Sequence, residues 1–266
     1  MAISAKEVMR LRQRTSVGMM QCKEALVQTD GDFEAAIEVL RKKLKGKMDD
    51  RTDRQAPEGV VAVARSNGAI AMVQLACETD FVARNETFAQ AAGQIAQLVL
   101  DGADGPVTSS GPIDRIVDNL RITIQENIVF KEGVKLTGDT LGSYVHHNHK
   151  IGVVVAAEGD LPDDLLKGIC QHIAAAVPVP LTVDEASLPA DLKHQQELAA
   201  VEEAKATGKP QQISEKIAVG KLRKWVDEHT LMGQIYLREL DAKKPVRDFL
   251  PKGASIRKFV RYQLGS

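Results

Sequence analysis

Aromatic residues are scarce in this chain, making up 4% of its 266 residues. A protein that stacks nucleic-acid bases on aromatic platforms needs more of them, and the formal net charge of −1 gives no overall field for a polyanion. Cysteine is equally thin. Cys22, Cys77 and Cys170 stand far apart with no C-x-x-C pair, which argues for reduced thiols and a cytosolic setting. No apolar run approaches the roughly 18 residues of a membrane span. The opening Met1-Ala2-Ile3-Ser4-Ala5-Lys6-Glu7 lacks the apolar centre of a signal peptide, so a cytoplasmic location is expected. Neither a G-x-x-x-x-G-K-[ST] loop nor a strand followed by G-x-G-x-x-G is present. Ser109-Ser110-Gly111-Pro112 reads as a turn, not a phosphate cradle, and the chain is expected to bind no nucleotide or other cofactor itself.

What is present is enough apolar matter, 44% of residues, for one or two sizeable cores. Residues 1–48 read as three short helices. Ser4-Ala5-Lys6-Glu7 has the capping-box pattern; Ile3, Val8 and Leu11, then Met19, Cys22, Ala25 and Leu26, then Phe33, Ala36, Ile37, Leu40 and Leu44 give each helix an apolar side. A polar stretch from Gly46 to Glu58 carries the linker, 49–58. Residues 59–140 form a first core subdomain: a hairpin broken at Asn67-Gly68, a helix through Phe88, Ile95 and Val99, a helix over Ile113–Ile124 and a strand over Val129–Leu136. A second hairpin and helix, over 141–183, repeat the order of the first, with Ile151 matching Ile70 and Ile173 matching Ile95. Residues 184–227 turn polar and are broken by Thr207-Gly208-Lys209-Pro210. The narrow stripe Ile213, Ile217, Leu222, Val226 suits a protruding antiparallel helical hairpin. Residues 228–266 return as strands to the second subdomain. The fold class is α+β, with antiparallel sheets.

Few constellations invite chemistry. His146, His147 and His149 could approach a zinc ion, but strand alternation separates the first two and Lys150 repels a cation; a plain hairpin turn is the better reading, and no metal is expected. Cys77 adjoins Glu78 and Asp80, acids that raise a thiol pKa and spoil a nucleophile. Arg41, Lys42, Lys43, Lys45 and Lys47 suit the negative end of a helix dipole. The chain is not expected to be an enzyme.

The most informative run is Cys77-Glu78-Thr79-Asp80-Phe81-Val82-Ala83-Arg84-Asn85. An apolar strand leads into it and a helical pattern leads out, with Thr79 or Asp80 available as N-cap, so the strand is expected to turn directly into the helix. Phe81, in that first turn, is either a core plug or an exposed wedge.

This run resembles the T-D-F-V-A-[KR]-N signature of the elongation factor Ts family, nucleotide exchange factors of bacterial translation. Leu11-Arg12-x-Arg14-Thr15-x-x-Gly18-Met19-Met20-x-Cys22-Lys23-x-Ala25-Leu26 is a second match. Leu141-Gly142-Ser143-Tyr144-Val145-His146 with Ile151–Val155 is a third, and Phe259–Gly265 a fourth; they fall in the family's order along nearly the whole chain. The resemblance implies a ubiquitin-associated-type N-terminal bundle, a coiled-coil insertion, and elongation factor Tu as partner, bound with GDP or nucleotide-free. Thr79, Asp80, Phe81 and Val82 would disturb that partner's magnesium site. Met19, Met20 and Lys23 would dock the bundle. Ile124, Glu126 and Asn127, in a segment similar to the family's I-G-E-N-I loop, would make a further contact, as would His147. Gln125 stands where that loop carries Gly, no Pro follows Gln234, and the chain ends at Ser266 just after the last strand, where many relatives continue into a helical module; a smaller interface is expected. Direct nucleic-acid or membrane binding is not expected, and self-association into a homodimer or a 2:2 complex stays open. The competing reading is an adaptor or RNA-binding protein without exchange activity.

Overall fold

The computed structural model describes residues 3–15, 17–49 and 54–265, with the backbone alone for 44–49. The chain opens with α1 (Ala5–Thr15), α2 (Met19–Gln28) and α3 (Phe33–Asp49). At the start of α1 the Glu7 amide donates to the Ser4 hydroxyl at 3.2 Å, and the Glu7 carboxylate accepts from the Ser4 amide at 2.8 Å, a reciprocal cap. Leu11, Cys22, Leu26, Ala36 and Leu40 fill the space between the three helices. Met19 does not join them, contrary to the periodicity, and lies in solvent together with Met20. The side chains of Leu44, Lys45 and Lys47 lie outside the described residues. Residues 46–49 continue α3 and Glu58 already belongs to a strand, so the linker is shorter at both ends than its composition suggests.

Two antiparallel sheets form the body. β1 (Glu58–Ser66) and β2 (Ala69–Cys77) make the first hairpin. β4 (Val129–Thr137) pairs with the other side of β2, and β3 (Gly105–Val107) with β4. β3 was invisible to pattern reading: it has three residues and contains Pro106, which only an edge strand accommodates. In the second sheet, β6 (Ile151–Glu158) lies between β5 (Thr140–Val145) and β7 (Ser255–Gln263). Each sheet is therefore a hairpin with a third strand returning beside the hairpin's second strand. Among the described residues β7 is the one strand of 228–266. The rest of that segment turns tightly and buries Leu231, Tyr236 and Val246.

The helices α5 (Glu86–Asp101) and α6 (Gly111–Ile124) cover one face of the first sheet, and α7 (Asp163–Ala175) covers the far face of the second. Between the sheets lies a separate core of Val61, Ile70, Met72, Val134, Val154 and Tyr262. This layering explains why β2 is apolar almost throughout. Ala71, Val73 and Leu75 point to α5, Ile70, Met72 and Ala76 point to the second sheet, and all nine residues are buried. Its exception, Gln74, donates from Nε2 to the Gln263 carbonyl at 2.8 Å and ties the sheets together. Gly152 permits the close approach; a Cβ there would stand 2.3 Å from Val61 Cγ1.

Helices α8 (Ala190–Lys205) and α9 (Gln211–His229) form the hairpin, inserted between α7 and β7. Its seam is Ala200, Ala204 and Ala218, with Ser214 buried nearby. Ile213, expected in the stripe, is exposed, and Ile217 and Leu222 are only partly covered. Small residues let the helices approach closely and push the larger ones to the rim of the contact.

Beneath the base of this hairpin sits a buried polar network that the sequence did not announce. The Leu237 amide donates to His172 Nδ1 at 3.3 Å, so the proton is on Nε2, which donates to Gln234 Oε1 at 2.9 Å. Gln234 Nε2 in turn donates to the carbonyls of Pro178 and Glu228, each at 2.7 Å. Burial pushes the His172 pKa down, partly opposed by the Gln234 bond. An imidazole held neutral in the folded chain and free to protonate near 6.5 when unfolded makes the unfolded state bind more protons in acid. Stability at pH 7 should therefore decline once the pH falls below about 6.5. Urea midpoints at pH 7.5 and 5.5 test this: the His172→Gln variant is expected to be weaker at neutral pH but to show a flatter dependence, and an unchanged slope would remove His172 as its source.

Candidate functional site

The turn after β2 is where sequence and structure meet. Thr79 caps α4 (Asp80–Ala83), its hydroxyl accepting from the Val82 amide at 3.4 Å. The chain does not run on into α5. It breaks at Asn85, whose side chain accepts from the Thr87 and Phe88 amides at 2.8 and 3.4 Å and starts the next helix. One turn of helix is thus isolated between two caps. Val82 and Ala83 pack back on the core under α5. Phe81 points the other way, with 83% of its surface in solvent. Asp80 shares the outer side and meets Arg84 at 3.3 Å. The ring is exposed and is not a core plug.

Two carboxylates hold this turn in place. Glu126 accepts from the Thr79 amide at 3.1 Å and from its hydroxyl at 2.7 Å. Glu78 accepts from the Asn127 amide at 2.7 Å, and its other oxygen lies 3.4 Å from Arg54. The β2–β4 ladder ends at Ala76 opposite Val129. Beyond it, side chains carry on the pairing that the backbones give up. Gln125 makes this possible by taking the left-handed conformation, φ 64°, at the end of α6. The position where the similar loop carries Gly is thus one of positive φ, which Gln occupies at some cost. Ile124 is half-buried against the first core. Asn127, expected to touch a partner, is only 3% exposed, and its amide nitrogen donates to the Arg54 carbonyl at 2.6 Å. Its visible work is internal: it anchors the approach to β1.

The histidine turn comes up beside this mount. The Val61 amide donates to the His149 carbonyl at 2.7 Å, and Lys150 pairs with Glu58 at 2.7 Å, so the second hairpin's tip is pinned to β1. His147 is exposed. With Glu58, Asp80, Arg84 and Lys150 it borders a cleft of about 560 Å³. Nothing in the spacing revealed that His147 and Asp80, far apart in sequence, share one cleft. His146 is occupied by the Tyr144 hydroxyl at 2.8 Å. Among the described residues no group of three His, Cys, Asp or Glu side chains is placed to hold a metal ion.

Cys77 is sealed behind the turn and its thiol is pushed up to about 12, chiefly by burial and then by Glu126 and Glu58. The direction matches expectation, but the sequence neighbours Glu78 and Asp80 are not the cause. On the bundle, Met19, Met20 and Lys23 are exposed along α2 beside Val27. A patch that pattern reading passed over lies on the second subdomain: Val177, Leu181, Ile235, Leu237 and Leu240 are exposed, and some of them border a cleft of about 580 Å³ under α9. The signal available was a run of apolar residues among turn formers, too irregular to register as either period.

A bare aromatic on a clamped turn, a charged cleft beside it and exposed methionines on a separate bundle are surface features of the kind protein contacts use. Comparison with known proteins is specific. The family model described as Elongation factor TS matches residues 78–266. Over 100% of this chain, the Elongation factor Ts of Thioalkalivibrio sulfidiphilus is 41% identical and that of Nitratiruptor sp. 39%, the alignments taking in 93% and 94% of those relatives. This chain belongs to the elongation factor Ts family. Membership implies the role of a nucleotide exchange factor for elongation factor Tu, an activity that makes and breaks no covalent bond. Among the described residues no helix is long and apolar enough to cross a membrane.

Proposed function

We propose that this chain binds elongation factor Tu carrying GDP, inserts Phe81 among apolar side chains of the GTPase, and so loosens the partner's magnesium and nucleotide site until GDP leaves and GTP can enter. The observation that carries this is the exposure of Phe81 on a mount fixed by Glu126 and Thr79. Burying the ring contributes about 1.5–3 kcal/mol, available to displace elements that hold the metal's water shell. A loose loop would lose much of that gain to ordering; a doubly clamped helical turn loses little. Asp80, at the wedge's base, fixes its orientation and accepts hydrogen bonds from partner groups otherwise committed to the magnesium site. Val82 and Thr79 brace the wedge from behind. Met19, Met20 and Lys23 dock a second region of the GTPase, and His147 reaches it across the cleft. Glu126, Asn127 and Ile124 serve through the mount. In this reading 59–140 and 141–183 with 228–266 act as two core subdomains, and 184–227 as the inserted hairpin.

Coupling is reciprocal: whatever this chain does to GDP affinity, GDP does to the affinity for this chain. The complex of all three is therefore strained and resolves by losing either ligand, which is what turnover needs. The test is release of fluorescent GDP from elongation factor Tu. Catalytic amounts of this chain are expected to accelerate release severalfold to many-fold, with free magnesium opposing the effect. No acceleration at stoichiometric amounts would overturn the reading.

A further inference from the structure

Helix α6 has an apolar inward face of Ile113, Val117 and Leu120, which belongs to the core under the first sheet. Ile122 does not share that face. It stands two residues beyond Leu120, about 200° around the helix, and points away from the sheet. Yet it is only 7% exposed, because it enters the core of the N-terminal bundle with Leu11, Ile37 and Leu40. Among the described residues, Ile122 is the apolar peg by which α6 enters the bundle's core, beside a cleft of about 300 Å³ that Arg14, Arg41 and Asn119 help to border.

The same helical end carries the wedge mount. Gln125 ends α6, Arg121 Nε donates to the Ile128 carbonyl at 2.7 Å, and Glu126 grips Thr79. The clamp, Glu126, follows the peg, Ile122, by four positions. We propose that the last turn of α6 is a two-sided bracket, with Ile122 as a positioning residue. It sets the distance and angle between the docking face on α2 and Phe81, so that one rigid body presents both contacts at once. This rests on the exchange reading above. Its physical basis is effective concentration: a second contact already held in place adds far more avidity than the same contact on a tether.

The test is Ile122→Ser in the full chain, with Ile122→Val as the conservative control. Three readouts are taken: amide hydrogen exchange, the concentration of chain giving half-maximal GDP release, and the release rate at saturation. For Ile122→Ser, amides of α1–α3 are expected to exchange faster while those of β2, α5 and β6 are unchanged. The half-saturating concentration should rise about tenfold, a modest part of what multivalent linkage can supply, while the saturating rate stays within twofold, since the wedge is untouched. Ile122→Val should behave as the parent chain. Unchanged protection of α1–α3 and unchanged half-saturation in Ile122→Ser would overturn the bracket, as would loss of protection throughout both sheets, which would make Ile122 part of the general core. Should the parent chain fail to release GDP at all, the exchange reading falls, while hydrogen exchange still decides whether Ile122 seats the bundle.

Discussion

Phe81→Ala should slow GDP release from elongation factor Tu by roughly 10- to 100-fold at subsaturating chain, the kinetic equivalent of losing the burial of one aromatic ring. Its urea midpoint should scarcely move, because the ring has 83% of its surface in solvent and, among the described residues, belongs to none of the cores. That separation of activity from stability is the signature of a residue whose apolar surface is kept for another molecule. Phe81→Leu should fall between the two, retaining some apolar area without the ring's reach. Stopped-flow release of fluorescent GDP, beside urea unfolding of each variant, measures both quantities. A Phe81→Ala chain that exchanges normally would sink the wedge.

Gly59→Ala is expected to be the most damaging single methyl group. Gly59, the second residue of β1, has φ 146°, and a Cβ there would lie 2.1 Å from the Leu75 carbonyl oxygen and 2.8 Å from the Ala76 Cα. Those are backbone atoms of the central strand and cannot rotate away. Either β1 parts from β2 at this end or the backbone takes up the strain, at a cost of about 3 kcal/mol. For a chain of this size that lowers the melting temperature by roughly 6–12 °C. The damage should also reach the site. Glu58, the preceding residue, pairs with Lys150, and Gly59 itself borders the cleft shared by Asp80 and His147. Calorimetry and the release assay on the same sample are expected to show both losses. A melting temperature within 2 °C of the parent would mean that the strand shifts freely, contrary to its pairing.

Much of this was readable beforehand, and the misses share a cause. Periodicity located the helices of the bundle, both hairpins and the returning strand because each signal lies within a short window. It erred where burial depended on a distant neighbour. Met19 has the spacing of a core residue but lies exposed. Ile213 looks like part of a seam that alanines occupy instead. Ile122, to which the pattern assigned no face, is covered by the bundle. Asn127, which the resemblance alone offered as a contact residue, is buried. The His172–Gln234 network was illegible for a similar reason: its groups come from α7 and a turn more than sixty residues later.

From the order of residues alone came the α+β class and the succession of elements, since caps, periods and turns are local physics that a few adjacent side chains decide; the resemblance of Thr79-Asp80-Phe81-Val82 to a family signature marked the place to look. Only the folded chain determined that Phe81 is bare, that Glu126 and Glu78 clamp its mount, that His147 shares the cleft beside that turn, and that Ile122 is covered by the bundle. Exposure and proximity belong to pairs of surfaces far apart in sequence, and they come into being when two sheets and a bundle pack against one another.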